Sequence, residues 1–240
     1  MELRARAGMA RTGVIAKMKS KMRHGDSVLP LLLAALATLI FVASPLADLG
    51  MISRPLIGMT MVIVVLAGLF ALGGRGRLAT PVIGLGVGLL ALQTSVNIYP
   101  NGVLGTIAEF ADATFFGLLC VVLLLSVFRP GRVTVHRVLG AIAVYLLLAL
   151  FFAEMFDIVD RFTDNAFIMG TQPTPYTAPS ARLFYLSTIT LTSVGFGDLA
   201  PVHPVARALV MLEAVIGQIY TTVILAWMVS LAVRSHRDTE

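Results

Sequence analysis

The residues with the clearest chemical potential form a short polar strip, Thr190–Asp198, in the apolar second half of the chain. The strip follows a short apolar segment, Ser180–Thr192, and precedes a long one, Val205–Val233. Irregular backbone at membrane depth cannot face lipid, because its N–H and C=O groups would have no partners. The strip therefore lines a water-filled path or is buried in protein. This placement indicates a conduit; the alternative is a glycine-rich turn that binds no ion.

Glycines are spaced regularly in the strip, where Gly195 and Gly197 alternate with Val194 and Phe196. Because glycine accepts a positive φ without steric cost, this alternation can turn successive carbonyls toward one side. Carbonyl oxygens stacked along an axis can replace the hydration shell of a monovalent cation. The strip is therefore a candidate cation path.

The strip resembles the selectivity filter of potassium channels, whose usual form is Thr-Val-Gly-Tyr/Phe-Gly-Asp. Ser193 departs from that form by replacing threonine; it keeps the oxygen and loses the β-branch, so the innermost ion site should remain. The residues that match are Val194, Gly195, Phe196, Gly197 and Asp198. The resemblance implies potassium as the permeant ion and no cofactor. It assigns the ion-binding filter to Thr192, Ser193, Val194, Gly195, Phe196 and Gly197.

Composition places the chain in a membrane. Of its 240 residues 58% are hydrophobic and 13% charged, far from the values of a soluble domain. The net charge of +5 reflects basic residues at the ends of apolar segments, where they report orientation, so we expect no nucleic-acid partner. Cys120, the single cysteine, predicts neither a disulfide nor a metal site.

Six apolar segments are near the length of about 20 residues that a helix needs to cross a bilayer. They are about Val28–Leu46, Pro55–Leu72, Val82–Ile98, Val103–Phe128, Val133–Phe156 and Val205–Val233. We therefore predict an all-α polytopic membrane protein with six transmembrane helices per subunit. A re-entrant pore helix and an extended filter lie between helices 5 and 6. The predicted parts are a basic cytoplasmic tail (1–27), a four-helix peripheral bundle (28–128) and a pore domain (129–240).

Lysine and arginine are concentrated on one side of this topology, in the tail, after the second and fourth spans, and at the C-terminal end. Basic loops stay in the cytoplasm, so both termini are predicted there, in the plasma membrane, with Asp198 outside. The arrangement also resembles voltage-gated channels, but no Arg or Lys lies between Asn101 and Phe128. We therefore expect weak or no voltage sensing. Because the chain ends soon after Val233, no cytosolic ligand domain is expected.

Several acids flank the predicted spans. Glu109 and Asp112 share a helical face near the outer end of the fourth span, and snorkelling or helix pairing is favoured over a transport role. The acids after the fifth span are predicted to make the outer surface negative, either concentrating cations or forming a plain soluble turret. They are Asp157, Asp160 and Asp164.

The last span carries a glycine, Gly217, that matches the hinge glycine of potassium-channel inner helices; close helix packing is the alternative. The same resemblance predicts a cavity-lining stripe of Gln218, Thr221, Leu225 and Val229. Glu213 lies about 140° from Gln218 on the helix, so we expect it to have a partner behind the filter.

A hydrogen bond is predicted behind the outer end of the filter. The pore helix descends about 10 Å from Tyr185 to Thr192, and the extended strip climbs back roughly 15 Å. Asp198 therefore returns to the level of Tyr185, whose hydroxyl can donate to its carboxylate, as the resemblance also implies. Arg182, on the same helical face, is the competing partner.

One chain supplies one wall of carbonyls, and the resemblance implies three further copies in a homotetramer within the lipid bilayer. The leading hypothesis is a potassium-selective channel. A non-selective cation channel is one alternative. A secondary transporter is another, but only one discontinuous segment is found where such proteins have two. Neither a paired-histidine zinc motif nor a Gly-x-Ser-x-Gly elbow is present, so no enzyme is expected.

Overall fold

The structure is a computed structural model. It describes residues 28–43, 45–46, 49, 51, 62–68, 79–98, 102–128, 134–163, 165–170, 172–173 and 181–237. The predicted basic tail lies outside these residues. Of the predicted second span, only residues 62–68 are described, and they are helical.

Helices make up most of the described chain. They are α1 (Val28–Thr38), which continues as a π-helical turn (Leu39–Ala43), α2 (Ala79–Ile98), α3 (Gly102–Val127), α4 (Val135–Phe162), α5 (Ala181–Leu191) and α6 (Pro204–Arg237). The helices α3, α4 and α6 are long and apolar enough to cross a membrane. Two shorter apolar helices lie at Leu29–Ala43 and Gly84–Val96. The protein is thus a mainly helical polytopic membrane protein, and its total of six spans stays a prediction.

A small sheet that was not predicted accompanies the helices. The strands β1 (Phe167–Met169), β2 (Gln172–Pro173) and β3 (Leu199–Pro201) are antiparallel in the order β2-β1-β3. Ile168 faces Pro173 on one side and Ala200 on the other. The sheet joins the connection before α5 to the chain that leaves the strip, and the ladder satisfies backbone groups that would otherwise need water.

The helix α4 is longer than predicted and runs to Phe162, past the expected end at Phe156. The additional turns carry Asp157 and Asp160 into the helix, where each is only 2% exposed. The prediction that these two acids make the outer surface negative is therefore wrong. Acids are rarely buried without partners, and Asp160 has one in Arg182. Asp164 lies outside the described residues.

Two apolar clusters hold the helices together. The first joins α1, α3 and α4 through residues such as Leu36, Phe116 and Leu147. The second surrounds α5 and includes Phe156 of α4 and Leu186 of α5. Because α4 contributes to both clusters, it connects the peripheral helices to the segment that carries the strip.

Candidate ion-conduction site

The strip begins where the chain folds back over the C-terminal end of α5. The Ser193 amide donates to the Thr190 carbonyl at 2.9 Å, and the amides of Val194 and Gly195 donate to the Ile189 carbonyl at 2.9 and 3.2 Å. The last carbonyls of a helix have no partners within the helix. Here the first amides of the strip satisfy them, so the strip is anchored to α5 through its donors.

The backbone of the strip changes the sign of φ at every second residue. Positive values occur at Ser193 (59°), Gly195 (52°) and Gly197 (75°). The predicted positive φ at both glycines is confirmed. An extended strand points its carbonyls alternately to two sides, whereas this alternation allows consecutive carbonyls to share one side. The value at Ser193 was not predicted, because non-glycine residues seldom adopt it.

The acceptor groups of the strip remain available. Within the described part of the chain, the carbonyl oxygens of residues 192–197 accept no hydrogen bond. All residues of the strip from Thr192 to Asp198 are exposed in the single chain. Backbone oxygens are suitable ligands for a dehydrated cation, so this row of oxygens is the chemically competent part of the site.

The outer end of the strip is held by the predicted hydrogen bond. The Tyr185 hydroxyl donates to Asp198 Oδ2 at 2.8 Å, and the Gly170 amide donates to the Asp198 carbonyl at 2.9 Å. The competing partner, Arg182, instead donates to Asp160 Oδ2 at 2.6 Å. Asp198 is therefore tied both to α5 and to the turn that follows β1 of the small sheet.

The inner end of the strip is held by α6. Gly217 is buried, and a β-carbon there would lie 2.4 Å from the carbonyl oxygen of Leu191, the last residue of α5. This finding supports the packing alternative for Gly217, and α6 is helical on both sides of it. The Tyr145 hydroxyl of α4 donates to the same Leu191 carbonyl at 2.9 Å. The hinge role of Gly217 stays a prediction.

The predicted cavity stripe on α6 is exposed along its length, at Gln218, Thr221, Leu225 and Val229. One member also touches the strip, because the Gln218 side-chain amide donates to the Ser193 hydroxyl oxygen. Behind the strip, Glu213 is buried and bonded to Ser187 of α5. Glu213 therefore has the partner expected from its position off the stripe.

The two acids of α3, Glu109 and Asp112, lie in different environments. Glu109 pairs with Arg161 of α4, whose Nε donates to Oε2 at 2.6 Å. Helix pairing, one of the two favoured interpretations, is therefore confirmed for Glu109. Asp112 is 6% exposed, so it does not snorkel into water.

Sequence reasoning missed Ser187 and Tyr145 as members of the site. Both are polar groups in apolar helices, which is the signal that could have found them, since buried hydroxyls need partners. Their partners lie far along the chain, at Glu213 and Leu191.

The strip, α4, α5 and α6 lie in one stretch of the chain, and the strip presents carbonyl oxygens that accept no hydrogen bond from the described residues while it is anchored at both ends. Residues 141–234 match the family model described as an ion channel. The matched region begins inside α4, contains the whole strip and ends near the C-terminal end of α6. The helices α1 to α3 lie outside it. No curated protein and no solved structure matches the chain.

Proposed function

We propose that the protein is a homotetrameric, potassium-selective channel of the plasma membrane, with both termini in the cytoplasm and little or no voltage sensing. The observation that carries this proposal is the alternation of φ at Ser193, Gly195 and Gly197 next to carbonyls that accept no hydrogen bond within the described chain. Potassium is held by rings of backbone carbonyls that replace its water. One chain contributes one side of each ring.

The surface of α6 supports assembly. Only 11% of the most apolar stretch of α6 is buried, compared with 50% for that of α3 and 56% for that of α4. Residues 192–198 of the strip are exposed as well. A closed path needs these surfaces to face further copies around an axis, and rotational symmetry supplies identical contacts to every copy. Four copies give the cage that the proposal requires.

Each element of the domain has a part in conduction. The C-terminal end of α5 directs its partial negative charge toward the start of the strip, where it favours a cation. The carbonyls of residues 192–197 then replace the water lost by the ion. Tyr185 and Gly170 hold the outer end at Asp198. The exposed stripe of α6 lines the water-filled cavity below.

A non-selective cation channel is the second candidate, and one contact favours it. The hydroxyl oxygen of Ser193 accepts a hydrogen bond from Gln218. An oxygen engaged in this way is a weaker ligand, and the innermost ion site depends on it. Loss of that site would weaken discrimination between potassium and sodium.

The test is ion flux in liposomes containing the purified protein. We expect rubidium and potassium to pass readily and sodium poorly. A permeability ratio of potassium to sodium near one would contradict potassium selectivity and support the non-selective channel.

Gly195→Ala tests the backbone of the strip. A β-carbon at residue 195 meets no atom within 4 Å, so the variant causes no clash, but it strains a backbone with φ of 52°. It should abolish flux. The control Gly84→Ala, also in open space, should not.

A further inference from the structure

Glu213 is a buried acid that the conduction path does not use. Its side chain is fully buried, and it lies four residues before Gly217 on the face of α6 toward α5. One carboxyl oxygen, Oε1, is bonded to the Ser187 hydroxyl. The same hydroxyl oxygen lies 2.7 Å from the Ala149 carbonyl of α4. A single serine thus connects three helices behind the filter.

Counting protons restricts the charge of Glu213. A serine hydroxyl carries one proton, and a backbone carbonyl only accepts. If the Ser187 hydroxyl donates to the Ala149 carbonyl, its contact with Glu213 is a hydrogen bond only when the carboxyl group supplies the proton. If the Ser187 hydroxyl donates to Glu213 instead, no proton is left for a hydrogen bond to Ala149. A protonated carboxyl group is the state that satisfies both contacts.

The surroundings favour the same state. Arg161 of α4 pairs with Glu109, and Arg182 of α5 pairs with Asp160. No described basic side chain pairs with Glu213. An ionised carboxylate that is buried without a cation loses its hydration and gains no compensating attraction. A neutral carboxyl group avoids this cost.

Two other groups complete the environment of Glu213. Its second oxygen, Oε2, accepts no hydrogen bond from the described residues. From α4, the titratable group that interacts with it electrostatically is Tyr145, whose proton is directed to the Leu191 carbonyl. From α5 it is faced by Ser187. None of these groups supplies a positive charge.

We propose that Glu213 is a positioning residue of the filter. As a neutral carboxylic acid it donates to Ser187, and Ser187 donates to Ala149. This ordered chain of two hydrogen bonds fixes α5 between α4 and α6. Because Ser187 lies on the short helix α5, four residues before its end at Leu191, a shift at Ser187 displaces the start of the strip. The effect on conduction rests on the proposed function; the protonation state does not.

Infrared difference spectroscopy tests the protonation state. In the full-length protein at neutral pH, wild type minus Glu213→Gln should show the carbonyl stretch of a protonated carboxylic acid. The matched control, Glu109→Gln, removes an ion-paired carboxylate and should show no such band. A carboxylate band for Glu213 would overturn the proposal. If Glu213→Gln does not assemble, wild type minus Ser187→Ala should show the same band shifted; an unshifted band would overturn it equally.

A pH profile of single-channel open time tests the positioning role. At alkaline pH an ionised Glu213 accepts the hydrogen bond of the Ser187 hydroxyl, and the hydrogen bond from Ser187 to Ala149 is lost. Wild-type channel openings should therefore shorten. The profile of Glu213→Gln should be flat over the range in which wild type declines, since its amide can donate at every pH. Parallel declines in both proteins would overturn the role. A protein that conducts sodium as well as potassium would contradict the proposed function and leave the infrared result standing.

Discussion

Gly217 of α6 and the carbonyl oxygen of Leu191 at the end of α5 are so close that a β-carbon at residue 217 would lie 2.4 Å from the oxygen. Backbone atoms cannot move aside as the end of a flexible side chain can. The same carbonyl accepts the Tyr145 hydroxyl at 2.9 Å. The strip starts at the end of α5. This end is held by a hydrogen bond from α4 and by close packing against α6, which the lack of a side chain at Gly217 allows.

Gly217→Ala should therefore displace α5 and impair conduction. Overpacking of this kind costs about 1–3 kcal/mol, whereas alanine in an open helical position gains about 0.5–1 kcal/mol over glycine. We expect a lower thermal midpoint in detergent and reduced rubidium flux. The control Gly84→Ala meets no atom within 4 Å and should lower neither. Equal behaviour of the two variants would contradict the packing role.

Tyr185→Phe should shorten the time for which the filter conducts. It removes the donor to Asp198 Oδ2 at 2.8 Å and leaves the aromatic ring, so the fold and the selectivity should persist. Single-channel burst length is the measurement. Thr114→Val is the control, because it removes a hydroxyl that donates to the Phe110 carbonyl within α3, outside the segment that carries the strip. A burst length that responds equally to both changes would show that the bond to Asp198 has no special effect.

Removing one partner of the Asp160 and Arg182 pair should destabilise the protein strongly. Their side chains are only 1% and 12% exposed, and loss of one partner from a buried pair costs about 3 kcal/mol or more. Asp160→Asn and Arg182→Gln should each lower the free energy of unfolding, and the double variant should cost less than their sum. The more exposed pair of Glu109 and Arg161 provides the comparison and should show weaker coupling. Additive effects at Asp160 and Arg182 would refute a coupled pair.

Open probability should depend weakly on voltage. The helix α3, at the position of the predicted fourth span, contains no Arg or Lys. Because one charge moved through the field contributes about 2.3 kcal/mol per 100 mV, a steep response needs several charges per subunit. Planar-bilayer recording between strongly negative and positive potentials measures this directly. A steep sigmoid, or a measurable gating current, would contradict the expectation.

The amino-acid sequence by itself determined the features that depend on neighbours along the chain. Glycines at alternating positions specified the positive φ at Gly195 and Gly197, because only glycine adopts that backbone without strain. The bond from Tyr185 to Asp198 also followed, since it joins residues only 13 apart. The rise per residue of a helix and of an extended strip fixes how far apart such residues lie.

Tertiary structure decided the contacts that join distant segments. From the sequence, Asp160 was expected at the surface, but in the fold it pairs with Arg182 of α5. Ser187 had no special feature in the sequence. In the fold the Ser187 hydroxyl contacts Ala149, 38 residues away, and Glu213, 26 residues away. No local pattern encodes these distances, because they depend on how α4, α5 and α6 pack together. These polar groups are buried only once the helices have packed, and only then does each of them need a hydrogen-bond partner.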